Sequence, residues 1–278
     1  MAAATSITAI VMGSGSSGGV PRIGGHWGAC DPADPRNRRR RCSLLIEGRT
    51  GDSEPTRIII DTGCDLREQL LDAQVDRVDA VLYTHEHADH THGIDDLRVL
   101  ALNTRKRVDV YFSREAAQRI VPSFSYCFTA PPGSSYPPIL NQNLIEAGQP
   151  VTISGPGGDI EILPFKQDHG DIFSLGFRVG DFAYSCDLSG IPPQSDAAVS
   201  GLAVWILDAL RPAPHPSHLS LSEALQHVAR YQPREAVLTN LHIDLDYAET
   251  EAATPANVRP AFDGLRIDVT AGRVLSPR

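Results

Sequence analysis

The stretch that constrains this chain most is Tyr83-Thr84-His85-Glu86-His87-Ala88-Asp89-His90. Three histidines and an aspartate follow directly on an apolar run, Val78 to Leu82, that reads as a buried β-strand. Ligand-type residues crowded at a strand end rarely serve packing alone. Side chains alternate along an extended segment, so His85 and His87 project to one side and can bind one ion. Asp89 onward reads as the opening of a helix, its acidic residues suited to the first turns, and Asp89 and His90, after the chain turns, can face a second ion. Nitrogen and oxygen donors of this kind suit Zn²⁺, Mn²⁺ or Fe²⁺, and no cysteine is needed.

Other candidate ligands also stand just beyond apolar runs. Leu44 to Glu47 and Arg57 to Ile60 read as a hairpin, and Asp61 ends its second strand. His169 follows the strand Ile160 to Pro164 by a few residues, Asp187 follows Tyr184-Ser185, and His242 follows Leu238-Thr239. His218 precedes a helix, Ser220 to Tyr231, with Ser220 and Glu223 spaced as a capping box. Each can point into a common crevice at one edge of the sheets. Singly they are weak signals, because a strand-end aspartate is often only a turn former. Strands come in two batches, each followed by helices. This predicts an α+β fold in which two mixed sheets pack together with helices on the outer faces. No repeat or linker divides the chain, so 1–278 reads as one domain. Residues 122–158, rich in Pro, Gly, Ser and Asn, read as an insert suited to a lid.

Bulk properties narrow the class. The 278 residues are 41% apolar and 21% charged, ordinary for a soluble globular chain, with a net charge of -9. An acidic balance argues against nucleic acid or an anionic membrane as partner. No run approaches the roughly 18 apolar residues of a membrane span. The apolar start, Met1 to Met12, has no Lys or Arg and reads as a strand rather than a signal peptide. Five widely spaced cysteines point to a reducing compartment, so a cytoplasmic protein is expected. Cys30 and Cys42 with His26 fall one donor short of a tetrahedral zinc set, and idle thiols are the plainer reading. The run Gly13 to Gly19 is either a loop approaching the site closely or, as the lesser reading, a phosphate cradle. Arg36 to Arg41 is either a solvated loop or a source of phosphate-gripping guanidinium groups.

His85-Glu86-His87-Ala88-Asp89-His90 matches the HxHxDH signature of the metallo-β-lactamase superfamily, and the chain is identified as resembling that family over nearly its whole length. The resemblance implies a four-layer αβ/βα sandwich and two divalent ions, Zn or Mn. His85, His87 and His169 would hold one ion; Asp89, His90 and His242 would hold the other; Asp187 would bridge them. Asp61 would orient the site from behind. Gly13 to Pro21, Asp34 to Arg39, Gly93 to Arg98 and His215-Pro216-Ser217-His218 resemble the branch containing phosphoribosyl cyclic phosphodiesterase and, more distantly, tRNA 3′-processing endonuclease. In that branch a histidine like His218 supports catalysis.

These features predict a dinuclear phosphodiesterase acting on a small cyclic or nucleotide-like phosphodiester through a metal-bridging hydroxide. Asp89, Asp187 and His218 are the expected catalytic residues. Ser16, Arg98, His215 and His218 are the expected substrate contacts. Tight membrane or nucleic-acid association is not expected, while a homodimer is compatible with the sequence. Two rivals stand beside this reading. One is a thioester hydrolase of the glyoxalase II type, which would be expected to carry a longer helical extension after His242. The other is a non-catalytic nucleotide-binding protein on the same fold.

Overall fold

Alternation along the strands decides the architecture. In the strand Ser43–Arg49, Leu44 and Ile46 face one way and Leu45 the other, and all three are fully buried. A strand buried on both faces needs a layer on each side. The computed structural model, which describes residues 2–275, supplies those layers. Leu44, Ile46, Ile58 and Ile60 meet Phe177, Phe182, Ile206 and Val237 between two sheets. Leu45, Ile59 and Val81 pack under helices on one outer face, and Trp205, Leu207 and Leu238 do so on the other. The predicted α+β sandwich is thus observed, with two mixed sheets inside and helices outside.

The first sheet contains β1 (Ser6–Gly13), β2 (Ser43–Arg49), β3 (Thr56–Ile60), β4 (Ala80–Leu82), β5 (Val108–Phe112) and β6 (Leu140–Leu144). The second contains β7 (Val151–Ile153), β8 (Ile160–His169), β9 (Ile172–Val179), β10 (Phe182–Ser185), β11 (Val204–Asp208), β12 (Glu235–Thr239) and β13 (Val258–Pro260). The hairpin of β14 (Arg266–Asp268) and β15 (Arg273–Val274) returns to the first sheet beside β1. Each sheet has a parallel half, β3-β4-β5-β6 in one and β10-β11-β12-β13 in the other. Open sheets of this kind bind ligands beyond the carboxyl ends of parallel strands. Asp61, His85, Asp187 and His242 follow such ends. Helices α1 (Leu66–Asp72), α2 (Ala88–Thr91), α3 (Leu97–Thr104), α4 (Arg114–Ser123) and α5 (Ser125–Phe128) belong to the first half of the chain. Helices α6 (Leu221–Tyr231) and α7 (Tyr247–Ala253) belong to the second.

Three local readings change. β8 runs on to His169, which is therefore the last residue of a strand rather than part of a following loop. The helix predicted from Asp89 is only α2, broken at Gly93 before α3 resumes. The stretch 122–158 is not a detached lid: β6 pairs in parallel with β5, β7 pairs with β8, and both stand at sheet edges. The expected capping box of α6 is present, with Ser220 and Glu223 satisfying each other's main chain. Among the described residues no helix is long and apolar enough to cross a membrane.

Candidate metal centre and crevice

Two glycines lay the ligand loop against the end of β3. A Cβ on Gly63 would stand 2.2 Å from the Asp89 carbonyl oxygen, and one on Gly93 would stand 2.2 Å from the Gly63 carbonyl oxygen. With no side chain between them, the His85–His90 segment is drawn over the strand ends. Three residues at those ends adopt left-handed backbone: Asp61 (φ 63°), Asp187 (φ 53°) and Asn240 (φ 61°). Asp and Asn are the side chains that tolerate this region best after glycine. The sharp turns aim all three inward.

Three imidazole nitrogens converge. His85 Nε2 lies 2.8 Å from His87 Nδ1, and His169 Nε2 lies 3.3 Å from the same atom. Asp187 Oδ2 stands 3.7 Å from His85 Nε2, 3.3 Å from His90 Nε2 and 3.7 Å from His169 Nε2. Asp89 Oδ2 lies 3.4 Å from His90 Nε2. Residues behind the rings fix their tautomers. His85 Nδ1 donates to Thr84 Oγ1 (2.9 Å), His169 Nδ1 to the Ser217 carbonyl (2.7 Å) and His90 Nδ1 to Asp61 Oδ2 (2.7 Å). Asp61 also accepts from Thr84 N (2.8 Å) and Thr84 Oγ1 (2.8 Å). His85 and His169 thus carry their protons on Nδ1 and turn bare Nε2 lone pairs toward one point. Lone pairs so placed repel unless a cation lies among them, so His85, His87, His169 and Asp187 fit a divalent metal ion.

The charges agree with that. Burial and the neighbouring His90 charge hold the His85 pKa well below its usual range. Burial opposes a charged His90, but Asp187, Asp61 and Asp89 raise its pKa well above the ordinary value. Burial likewise opposes ionised Asp187, yet His90, His85 and His218 hold its carboxyl well below the usual range.

His218 adds a second device. Its Nδ1 donates to Asp208 Oδ2 (2.9 Å), and its Nε2 stands 4.0 Å from Asp187 Oδ2. Burial works against the charged ring, but the Asp208 hydrogen bond and charge prevail and raise its pKa. Burial pushes the Asp208 carboxyl up to about 6. Asn240 Nδ2 donates to Asp187 Oδ1 (3.0 Å) and Asp208 Oδ1 (3.1 Å), tying the carboxylates to one frame. Asp208 and Asn240 were visible in the sequence only as strand ends, with nothing to mark their role.

The crevice above these groups has a volume of about 250 Å³ and is lined by Ser16, Ser17, Arg22, His87, Asp89, Asp187, Leu210, Arg211, His215, His218, Asn240 and His242. Ser16, His215 and His218 therefore stand where substrate contacts were expected. His242 lines the same space but lies outside the four-donor group. Its Nδ1 is 2.8 Å from Asp244 Oδ2, and its Nε2 meets the Arg22 guanidinium. Burial lowers its pKa, opposed by Asp244 and aided by Arg22 and Arg211.

Several expected contributors stand elsewhere. Arg98 pairs with Asp95, lies over the Tyr126 ring and does not line the crevice. Most of the arginine run is engaged: Arg36 with Asp34, Arg40 with Asp72 and Asp263, Arg41 with Asp65, while buried Arg39 donates to the Leu245 carbonyl. Cys30, Cys42 and His26 are not among the donor groups that converge on a common point among the described residues. Cys42 Sγ faces Thr239 Oγ1 in the core, Cys30 Sγ faces the carbonyls of Ile243 and Leu245, and His26 is exposed. The glycine-rich loop is a close approach: Gly15 N donates to the Arg40 carbonyl (2.8 Å), bringing Ser16 and Ser17 to the crevice.

Fold and site together define a metal-binding hydrolase scaffold. The chain belongs to the beta-lactamase superfamily, whose domain model matches residues 56–243. It is 31% identical to a diphosphatase from the PhnP family, whose crystal structure superimposes with a TM-score of 0.81 over 94% of this chain and 97% of that one. Human tRNase Z, short form, shares the fold with a TM-score of 0.60 and 15% identity, over 94% of this chain and 99% of that one. An octanoyltransferase of Porphyromonas gingivalis is 32% identical over 261 residues, 92% of this chain but 50% of that protein. The chain thus spans about half the length of that relative.

Proposed function

We propose that the protein is a metal-dependent hydrolase of small phosphoric diesters or diphosphates of nucleotide-like size. The observation that carries this is the His218–Asp208 pair, held 4.0 Å from the hub carboxylate Asp187 in a small crevice. His85, His87, His169 and Asp187 would hold one ion, and Asp89, His90 and His242 with Asp187 a second, with Zn²⁺ and Mn²⁺ both suited. The chemistry such cations supply is a nucleophile at neutral pH and neutralisation of charge on phosphoryl oxygens.

The chain's own residues do the rest. A water loses one proton to solvent and its oxygen bonds to phosphorus, the bond from phosphorus to the leaving oxygen breaks, and that oxygen takes a proton. His218 Nε2 supplies the proton, because Asp208 fixes the ring through Nδ1 and favours its charged form. Asn240 holds Asp187 and Asp208 in register, and Asp61 keeps His90 turned inward. The similarity to a diphosphatase at 31% identity supports phosphoryl rather than acyl transfer. An octanoyl substrate would need an apolar channel, whereas Leu210 is the one aliphatic side chain lining the crevice among the described residues.

The test is a panel run with metal analysis: bis(4-nitrophenyl) phosphate, a cyclic ribose phosphate, ADP, a thioester and a β-lactam. Phosphoryl substrates should be turned over only by metal-loaded protein. Preference for the thioester or the β-lactam, or full activity without metal, would overturn the proposal.

A further inference from the structure

A buried polar pair lies behind the ligands, where packing alone would call for apolar side chains. Gln167 on β8 and Ser174 on β9 stand opposite each other across the hairpin, and both are fully buried. Gln167 Nε2 donates to Ser174 Oγ (3.0 Å) and to the Cys186 carbonyl (3.2 Å), and Ser174 Oγ donates to the Asp187 carbonyl (2.7 Å). A carbonyl can only accept, so the amide must turn its NH₂ end toward Cys186, and the direction of these bonds is fixed. Gln167 Oε1 meets no donor among the described residues. A buried amide with one end unmet is costly. The fold still makes room for it: a Cβ on Gly176 would stand 2.5 Å from Gln167 Oε1.

Strand register does not require the pair. β8 and β9 already match residue for residue from Leu163 and Arg178 to His169 and Ile172. What the pair reaches is the backbone on both sides of one residue. The Cys186 carbonyl belongs to the peptide plane before the Asp187 Cα, and the Asp187 carbonyl to the plane after it. The relative tilt of those two planes is the φ and ψ of Asp187. That residue is left-handed, at φ 53°. Such a conformation persists in a residue other than glycine where its surroundings over-determine it. The pair is also joined to other ligands. Gln167 shares a face of β8 with His169, and Leu175, next to Ser174, donates its main-chain N–H to the Thr84 carbonyl (2.8 Å), just before His85.

We propose that Gln167 and Ser174 are positioning residues that lock the two peptide planes flanking Asp187 and so aim its carboxylate at the metal ions. This rests on the reading of Asp187 as a metal-holding carboxylate.

The test reads metal binding rather than turnover, so its failure is separable from failure of the hydrolase reading. Zn²⁺ affinity by chelator competition, the visible bands of the Co²⁺-loaded protein and the melting temperature of the metal-free protein are measured for the parent, Ser174→Ala, Gln167→Met and Ile267→Val. Gln167→Met keeps the length of the side chain and removes its donors. Ile267, buried in β14 and absent from the crevice lining, controls for core damage alone. Ser174→Ala and Gln167→Met should each lose about 10–100-fold in Zn²⁺ affinity, the usual effect of removing a group that orients a ligand. Their Co²⁺ bands, which report ligand geometry, should shift. Ile267→Val should lower the melting temperature and leave affinity and bands as in the parent. Should Gln167→Met fail to fold, Ser174→Ala, which removes a single oxygen, decides alone. Parent-like affinity and bands in Ser174→Ala would overturn the proposal, and so would an equal loss of affinity in Ile267→Val.

Discussion

The two walls of the crevice are held in different ways. On the first, three of the inward-facing rings are tied from behind: His85 to Thr84, His90 to Asp61, His169 to the Ser217 carbonyl. These rings are buried, and their Nε2 atoms are aimed before anything binds. On the second wall, His242 meets groups from flexible side chains, Asp244 and Arg22, both on the solvent side. The contrast shows how one site combines a preset donor group with an adjustable edge. Rigid donors define where an ion sits; the edge can rearrange to suit what arrives.

Substitutions can break or sharpen that contrast. The largest effect is expected from His87→Ala. The ring is exposed, so the fold should survive, but its Nδ1 lies among the three converging nitrogens. Metal content by mass spectrometry and turnover should both fall to background; a variant that keeps its metal breaks the idea of a preset donor group. Next comes His218→Ala, which should retain metal and lose about 10²–10⁴-fold in kcat, the usual worth of a general acid. Asp61→Asn should weaken metal affinity about 10–100-fold by loosening His90, while an equivalent change at exposed Asp244 should do less.

A subtler effect is expected in the pH profile. The Asp208 charge raises the His218 pKa, so the acid form persists to higher pH in the parent. Asp208→Asn removes that support, lowers the pKa and should move the alkaline fall of kcat to lower pH. An unchanged alkaline limb would separate His218 from the proton transfer. Arg98→Ala should have the smallest effect, leaving kcat/KM within error of the parent, because Arg98 is held by Asp95 and Tyr126 outside the crevice.

What could be read from the sequence, and what could not, follows the range of the signals. The His85–His90 cluster and the alternation through Leu44, Leu45 and Ile46 are local patterns, and the structure carries both. The arginine run was misleading for the opposite reason. Charge is local but partners are not: Asp263, which accepts from Arg40, lies 223 residues further on. Asp208 and Asn240 each stand alone in the sequence, and only the meeting of strand ends brings them together. The stretch 122–158 looked irregular because Pro and Gly dominate it. Two strand pairings with neighbours supply the order that its own composition does not.

The left-handed turns at Asp61, Asp187 and Asn240 have a consequence for anyone who would move this centre to another scaffold. Copying the ligand side chains onto ordinary strand ends would aim them wrongly, because three of the aiming angles belong to the main chain. A recipient sheet would have to accept each turn at about 1–3 kcal/mol of conformational strain. Glutamate, the nearest chemical substitute for either aspartate, would suit the turn less well as well as reaching too far. Libraries that randomise these positions and select for a working centre should therefore return Asp and Asn almost exclusively, and the site is best transplanted as backbone first and side chains second.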